Sequence, residues 1–171
     1  MQFLILALTL KGGPGVQQRN YQEDCMESAE FIGKIERLIS ASKVGLLTTV
    51  DAEGYPHNRW MTPTMIKDRP NFIYAVTAPN SRKAEQIRNH SQVEWTFQST
   101  VLNEVISVKG RAVLVGDPEL KSEVLEAIGP NLQIFWKVNE DSKNVVVVET
   151  EIEAVSCFYP MKNERYYREV R

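Results

Sequence analysis

The sequence predicts a mainly β protein with peripheral helices, folded as a small and mostly antiparallel barrel. Three observations predict it. Runs rich in β-branched and aromatic residues recur between Val44 and Tyr159 and make about six strand candidates. Compact turn compositions such as Asp51-Ala52-Glu53-Gly54 and Lys67-Asp68-Arg69-Pro70-Asn71 join several of them. No strand–helix–strand rhythm recurs, which argues against a parallel nucleotide-binding sheet.

The elements follow in order. Apolar residues at Phe31, Ile32, Ile35, Leu38 and Ile39 draw one stripe along a helix from Ser28 to Ser42. Val44 to Val50 reads as a strand that turns at Asp51 to Gly54 into a second, from Tyr55 to Ile66. Pro56 and Pro63 interrupt this second strand and imply an edge, bulge or bend, because proline cannot donate to a ladder. Phe72 to Thr77 is the third strand, and Ser81 to His90 a short helix. Gln92 to Gln98 and Val105 to Val115 are the fourth and fifth strands. Asp117 caps a helix with Pro118 in its first turn, and Gly129-Pro130 ends it. A last strand pair starts at Val145 to Val148 and runs through Ile152 to Tyr159.

With 171 residues, 43% hydrophobic and 25% charged, the chain suits a single globular domain. A net charge of −2 argues against a dedicated nucleic-acid binder. Cys25 and Cys157 cannot form a disulfide framework, which points to a reducing, cytoplasmic setting. No short metal-ligand spacing appears, and His57 and His90 are separated by a strand and a helix. Met1 to Leu10 is apolar, yet it lacks a preceding Lys or Arg and is shorter than the roughly 18 residues of a membrane span. Residues 1–25 are therefore set apart as an N-terminal extension of open role, 26–160 as the barrel domain and 161–171 as a basic tail.

The most informative local feature is Thr77-Ala78-Pro79-Asn80-Ser81-Arg82-Lys83. A strand ends, the chain turns, and a helix begins with two cations in its first turn. Unpaired N–H groups and the positive end of the dipole suit an anion there, as does a phosphate-gripping Arg fork. Strand alternation around Arg59 puts His57, Arg59 and Met61 on one face and Asn58, Trp60 and Thr62 on the other. Arg59 would join the same anion if the second and third strands were neighbours. No nucleophile elbow, P-loop or dinucleotide fingerprint occurs. Glu149, Glu151 and Glu153 read as a solvent-facing row, and Trp95, Phe97, Phe135 and Trp136 as core or stacking aromatics.

The order of Leu46-Leu47-Thr48-Thr49-Val50, Gly54-Tyr55-Pro56, Arg59-x-Met61, Phe72 to Thr77, Ser81-Arg82-Lys83-Ala84, Asn89, Val93-x-x-x-Phe97 and Val108-x-Gly110-x-Ala112 is recognisable. It resembles the pyridoxamine 5′-phosphate oxidase-like family of FMN-binding split barrels, most of all its general-stress-protein branch. The likeness covers about Ile35 to Asp117 well and the rest loosely. It implies a six-stranded, Greek-key split barrel that forms a homodimer, with FMN at the interface. It assigns Arg59, Trp60, Met61 and Thr62 to the flavin and its ribityl chain, Thr77 to holding it, and Ser81, Arg82 and Lys83 to the phosphate. Trp136 is a candidate for reaching the partner subunit's flavin.

Departures from the family pattern bear on the substrate. Thr64 stands where true pyridoxamine-phosphate oxidases carry a Lys, and Glu104-Val105 where they carry a flavin-contacting Gln. The tail from Lys162 to Arg171 lacks their substrate-binding segment. The expectation is a flavin-dependent oxidoreductase acting on a small molecule other than a B6 vitamer, with no catalytic residue named. A non-catalytic flavin-binding stress protein and a barrel for deazaflavin or haem are the competing expectations.

Overall fold

The computed structural model describes residues 28–129 and 144–170. Its helices are α1 (Ser28–Ser42), α2 (Arg82–Asn89) and α3 (Pro118–Ile128). Its strands are β1 (Gly45–Val50), β2 (Pro56–Met61), β3 (Thr64–Ile66), β4 (Arg69–Thr77), β5 (Gln92–Gln98), β6 (Val105–Val115), β7 (Val146–Tyr159) and β8 (Glu164–Glu169). Every ladder is antiparallel. The N-terminal extension, Cys25, Phe135 and Trp136 lie outside the described residues.

The helices form where capping and periodicity place them. Helix α1 buries Phe31, Ile32, Ile35, Leu38 and Ile39, the stripe legible in the sequence. Ser81 caps α2 and Asp117 caps α3, whose carboxylate accepts from the Leu120 N–H at 2.8 Å. Strands β1 and β2 join through Gly54, whose φ of 88° is cheap only without a Cβ.

The stretch from Tyr55 to Ile66 is two strands rather than one. β2 pairs with β1, whereas β3 pairs with β4. Thr62-Pro63 makes the break: proline offers no N–H and constrains the residue before it. The sheet order is β2-β1-β5-β6-β7-β4-β3, so β2 and β3 are its two ends. Only Thr62 and Pro63 separate them in the chain, a span of at most roughly 11 Å between Met61 and Thr64. The sheet must therefore curl until its edges approach. That is a split barrel.

Two further corrections concern the C-terminal third. The expected strand pair is one continuous strand, β7, of 14 residues. Its first half pairs with β4 and its second with β8, while β6 runs along its other side. The residues read as a basic tail contain β8, which with β3 raises the strand count among the described residues to eight. Arg165, Arg168 and Glu169 give β8 a polar composition that hid its extended backbone. Register shifts between Lys109 and Gly110, where a Cβ on Gly110 would overlap the Glu151 carbonyl oxygen.

Apolar side chains fill the curl. The larger cluster joins α1 to Leu47, Ile73, Trp95, Phe97, Ile106, Val108 and Ile152. Trp95 and Phe97 stack with ring centroids 6.0 Å apart, and the indole N–H donates to the Thr150 hydroxyl at 3.1 Å. Each such burial contributes roughly 1.5–3 kcal/mol. A second cluster lies under α3, where Leu120, Val124 and Ile128 meet Tyr74, Val76 and Val147. Among the described residues, no helix is long and apolar enough to cross a membrane.

Candidate functional site

Beside the start of α2, a cleft of about 260 Å³ is lined by His57, Asn58, Arg59, Arg82, Lys83 and Gln86. Three of these are cations, contributed by β2 and the first turn of α2. The first-turn N–H groups of Arg82 and Lys83 have no acceptor within the helix. Behind them, the Ser81 hydroxyl accepts from the Ala84 N–H at 3.3 Å and lies 3.1 Å from the Thr77 hydroxyl. Lys83 Nζ donates to Thr77 Oγ1 at 3.2 Å. At the far end of the helix, Arg88 donates to the Pro79 carbonyl at 2.7 Å, fixing the loop that precedes Ser81.

Arg59 is oriented by groups that the sequence reading did not single out. Its Nη1 donates to Thr49 Oγ1 at 2.6 Å and to the Leu47 carbonyl at 3.2 Å, and its Nη2 to Gln86 Oε1 at 3.0 Å. Thr49 in turn donates to Gln86 Oε1 at 2.6 Å. Thr49 and Gln86 are both buried. The available signal was polarity at inward positions: Thr49 alternates with buried Leu47, and Gln86 lies beside Ala84 and Ile87 on the packed face of α2.

Arg59 does not arrive by the route expected. Its strand, β2, neighbours β1 and makes no ladder with β4. Convergence comes instead from α2 lying across the β1–β2 edge, so that Gln86 meets both Thr49 and Arg59.

The electrostatics are one-sided. Burial, and then the Arg82 guanidinium, hold Arg59 below its usual pKa. Burial, and then Arg59, do the same to Lys83. Among the described residues, neither they nor Arg82 form a salt bridge. Like charges held together without a carboxylate favour an anion from outside, and a phosphate matches the fork of Arg and the point charge of Lys. The residues fit a phosphate monoester.

Other site candidates separate from the cleft. Trp60 points to the opposite face, 65% exposed, beside a depression of about 300 Å³ that Val44, Leu46 and Thr96 also line. Met61 packs against the larger core cluster, and half-buried Thr62 lies in the link between β2 and β3. Thr64 is buried in β3 and supplies no cation. Glu104, at the position of the family's flavin-contacting Gln, is turned inward. It accepts from Arg37 at 2.7 Å and from the Tyr159 hydroxyl at 3.1 Å.

A curled antiparallel sheet with a cationic cleft at a helix start defines a split-barrel protein with an anion site. Residues 31–158 match the family model described as Pyridoxamine 5′-phosphate oxidase, and the chain belongs to that family. Solved structures share the fold. General stress protein 26 from Bacillus anthracis is 21% identical, with 81% of this chain and 98% of its own covered and a TM-score of 0.62. A pyridoxamine 5′-phosphate oxidase-related, FMN binding protein from Nostoc punctiforme is 16% identical over 85% of this chain and 100% of its own, with a TM-score of 0.58. An F420 reductase is 16% identical over 70% of this chain and 94% of its own, at a TM-score of 0.55. No curated protein sequence matches the chain.

Proposed function

We propose that this protein is an FMN-binding flavoprotein, an oxidoreductase other than pyridoxamine-phosphate oxidase itself. The convergence of Arg59, Arg82 and Lys83 without a facing carboxylate carries the reading. When bound, FMN supplies the hydride or electron transfer. The chain's own residues grip the phosphate through Arg82, Lys83 and the free N–H groups of α2. Arg59 is held ready by Thr49 and Gln86, and Thr77 with Ser81 positions Lys83.

We further propose a homodimer that completes the site. A cleft of about 260 Å³ is smaller than the roughly 300–1,000 Å³ of a pocket that encloses a drug-sized ligand. It suffices for the phosphate end, so the ring system needs a wall from a second copy. Exposed Trp60 beside Leu46 offers apolar surface for that purpose.

The visible spectrum of the purified protein tests the assignment. A yellow protein that releases FMN on denaturation supports it; an intense haem band, or a colourless protein that rejects added FMN, overturns it. Consumption of NADH or NADPH then separates an enzyme from a flavin-binding stress protein. The F420 reductase among the structural neighbours favours deazaflavin as the second reading, and titration with F420 beside FMN decides between them.

A further inference from the structure

Gln86 is the one buried residue in the lining of the cleft, 8% exposed, and its amide is held in a single orientation. A guanidinium only donates, so the Gln86 atom 3.0 Å from Arg59 Nη2 must be the oxygen. For the same reason Thr49 Oγ1, 2.6 Å from Arg59 Nη1, accepts there and turns its own hydrogen to Gln86 Oε1 at 2.6 Å. The three bonds close a ring in which every proton is assigned. Both donors meet the amide oxygen, and the hydrogens of Nε2 are left over.

Those hydrogens have no acceptor among the described residues. They are not sealed in either. Among the described residues, the Tyr74 hydroxyl is the one fully buried side-chain polar atom without a partner. Nε2 therefore reaches solvent, and the solvent that Gln86 meets is in the cleft. A largely enclosed amide with a spare donor gains from any acceptor that enters.

Arg59 needs such help. A guanidinium has five N–H groups, and Leu47, Thr49 and Gln86 take three of them. Nε–H and one Nη2–H remain, a single edge for an anion. Burial and a neighbouring guanidinium already work against the charges of Arg59 and Lys83. A neutral amide adds a donor without adding to that repulsion. A phosphate monoester offers three terminal oxygens where a carboxylate offers two, so a further donor has an oxygen to meet.

We propose that Gln86 is a direct phosphate ligand: its Nε2 donates to a terminal phosphate oxygen, while Arg59 and Thr49 hold its Oε1. This rests on the phosphate reading above and deepens it with an uncharged donor whose direction the protein sets before the ligand arrives.

The test is the dissociation constant of FMN and of riboflavin for the full-length protein. Gln86→Met is made in wild type and in Arg59→Met, with Gln86→Glu beside them. Riboflavin lacks the phosphate, so the ratio of the two constants isolates the phosphate's share. Gln86→Met is expected to weaken FMN roughly tenfold, the scale of one hydrogen bond to a charged group, with riboflavin unchanged. A several-fold loss is expected to persist in Arg59→Met, because the amide donates directly. Gln86→Glu keeps an oxygen for Arg59 and Thr49, so it carries the test even where Gln86→Met destabilises the fold. Its melting temperature is expected to stay near that of wild type while its FMN affinity falls further than in Gln86→Met. A loss that vanishes in Arg59→Met would overturn the proposal, since Gln86 would then act through Arg59 alone. So would equal losses for FMN and riboflavin, or undiminished FMN affinity in Gln86→Glu. Each of these leaves the phosphate site standing, whereas equal affinity of wild type for FMN and riboflavin would overturn both.

Discussion

The cleft beside α2 and the polar cluster beneath α1 contain similar cations in different company. In the cluster, Arg37 pairs with the buried Glu104 carboxylate at 2.7 Å, Tyr159 donates to the same carboxylate, and Lys34 lies 5.9 Å from the Tyr159 ring centroid. In the cleft, Arg59, Arg82 and Lys83 come together, with neutral Thr49 and Gln86 as partners of Arg59 and neutral Thr77 as partner of Lys83. The cluster closes its own charge and ties α1 to the sheet. The cleft leaves its charge open, and charge left open at a half-buried site is a capacity to bind.

This contrast breaks most sharply if the cleft cations prove structural. Arg82→Ala combined with Lys83→Ala is expected to weaken FMN binding by ~3–6 kcal/mol, two charged hydrogen bonds at about 1.5–3 kcal/mol each. Folding should survive, because the pair relieves mutual repulsion; flavin fluorescence titration and thermal melting check the two halves. The converse is Arg37→Ala, which leaves the Glu104 carboxylate buried with Tyr159 as its remaining partner. It should lower stability by about 1–3 kcal/mol in urea unfolding and leave FMN affinity unchanged.

Smaller effects sharpen the same distinction. Burial, and then the Glu104 carboxylate, push the Cys157 thiol up to about 12. Alkylation of this cysteine should be negligible in folded protein near neutral pH and complete once it unfolds, as mass analysis of its peptide would show. The smallest effect belongs to Asp51. The His57 hydrogen bond holds its folded-state pKa below the ordinary 3.8, so its contribution is complete above that value and is lost as pH falls through the lowered one. Asp51→Asn should therefore lower the neutral plateau of the melting curve slightly, flatten its acid limb and leave the most acid values nearly as they were.

Much of this was legible before any coordinates. The stripe of α1, the caps at Ser81 and Asp117, and the bounds of β5 and β6 are local properties of side-chain spacing and capping chemistry. The positions of Ser81, Arg82 and Lys83 at the start of α2 were legible for the same reason. The destination of each strand was not. Pro63 announced a break, but only the ladder shows that β2 and β3 belong to opposite ends of the sheet. Thr49 and Gln86 were silent because their roles come from meeting Arg59 across three elements, which no single stretch of sequence encodes.

The division of β7 between β4 and β8 has a kinetic consequence. Strand β4 acquires this mate only from the far end of the chain, where Phe72 meets Glu151 and Thr77 meets Val146. Pairings between such distant segments are slow to find, on the order of milliseconds to seconds in β-rich domains. The pieces of the cleft, from Thr49 to Gln86, lie within one continuous stretch that the ribosome releases well before β7. The parts that line the cleft are thus made early, and the strand that closes the barrel around them arrives late.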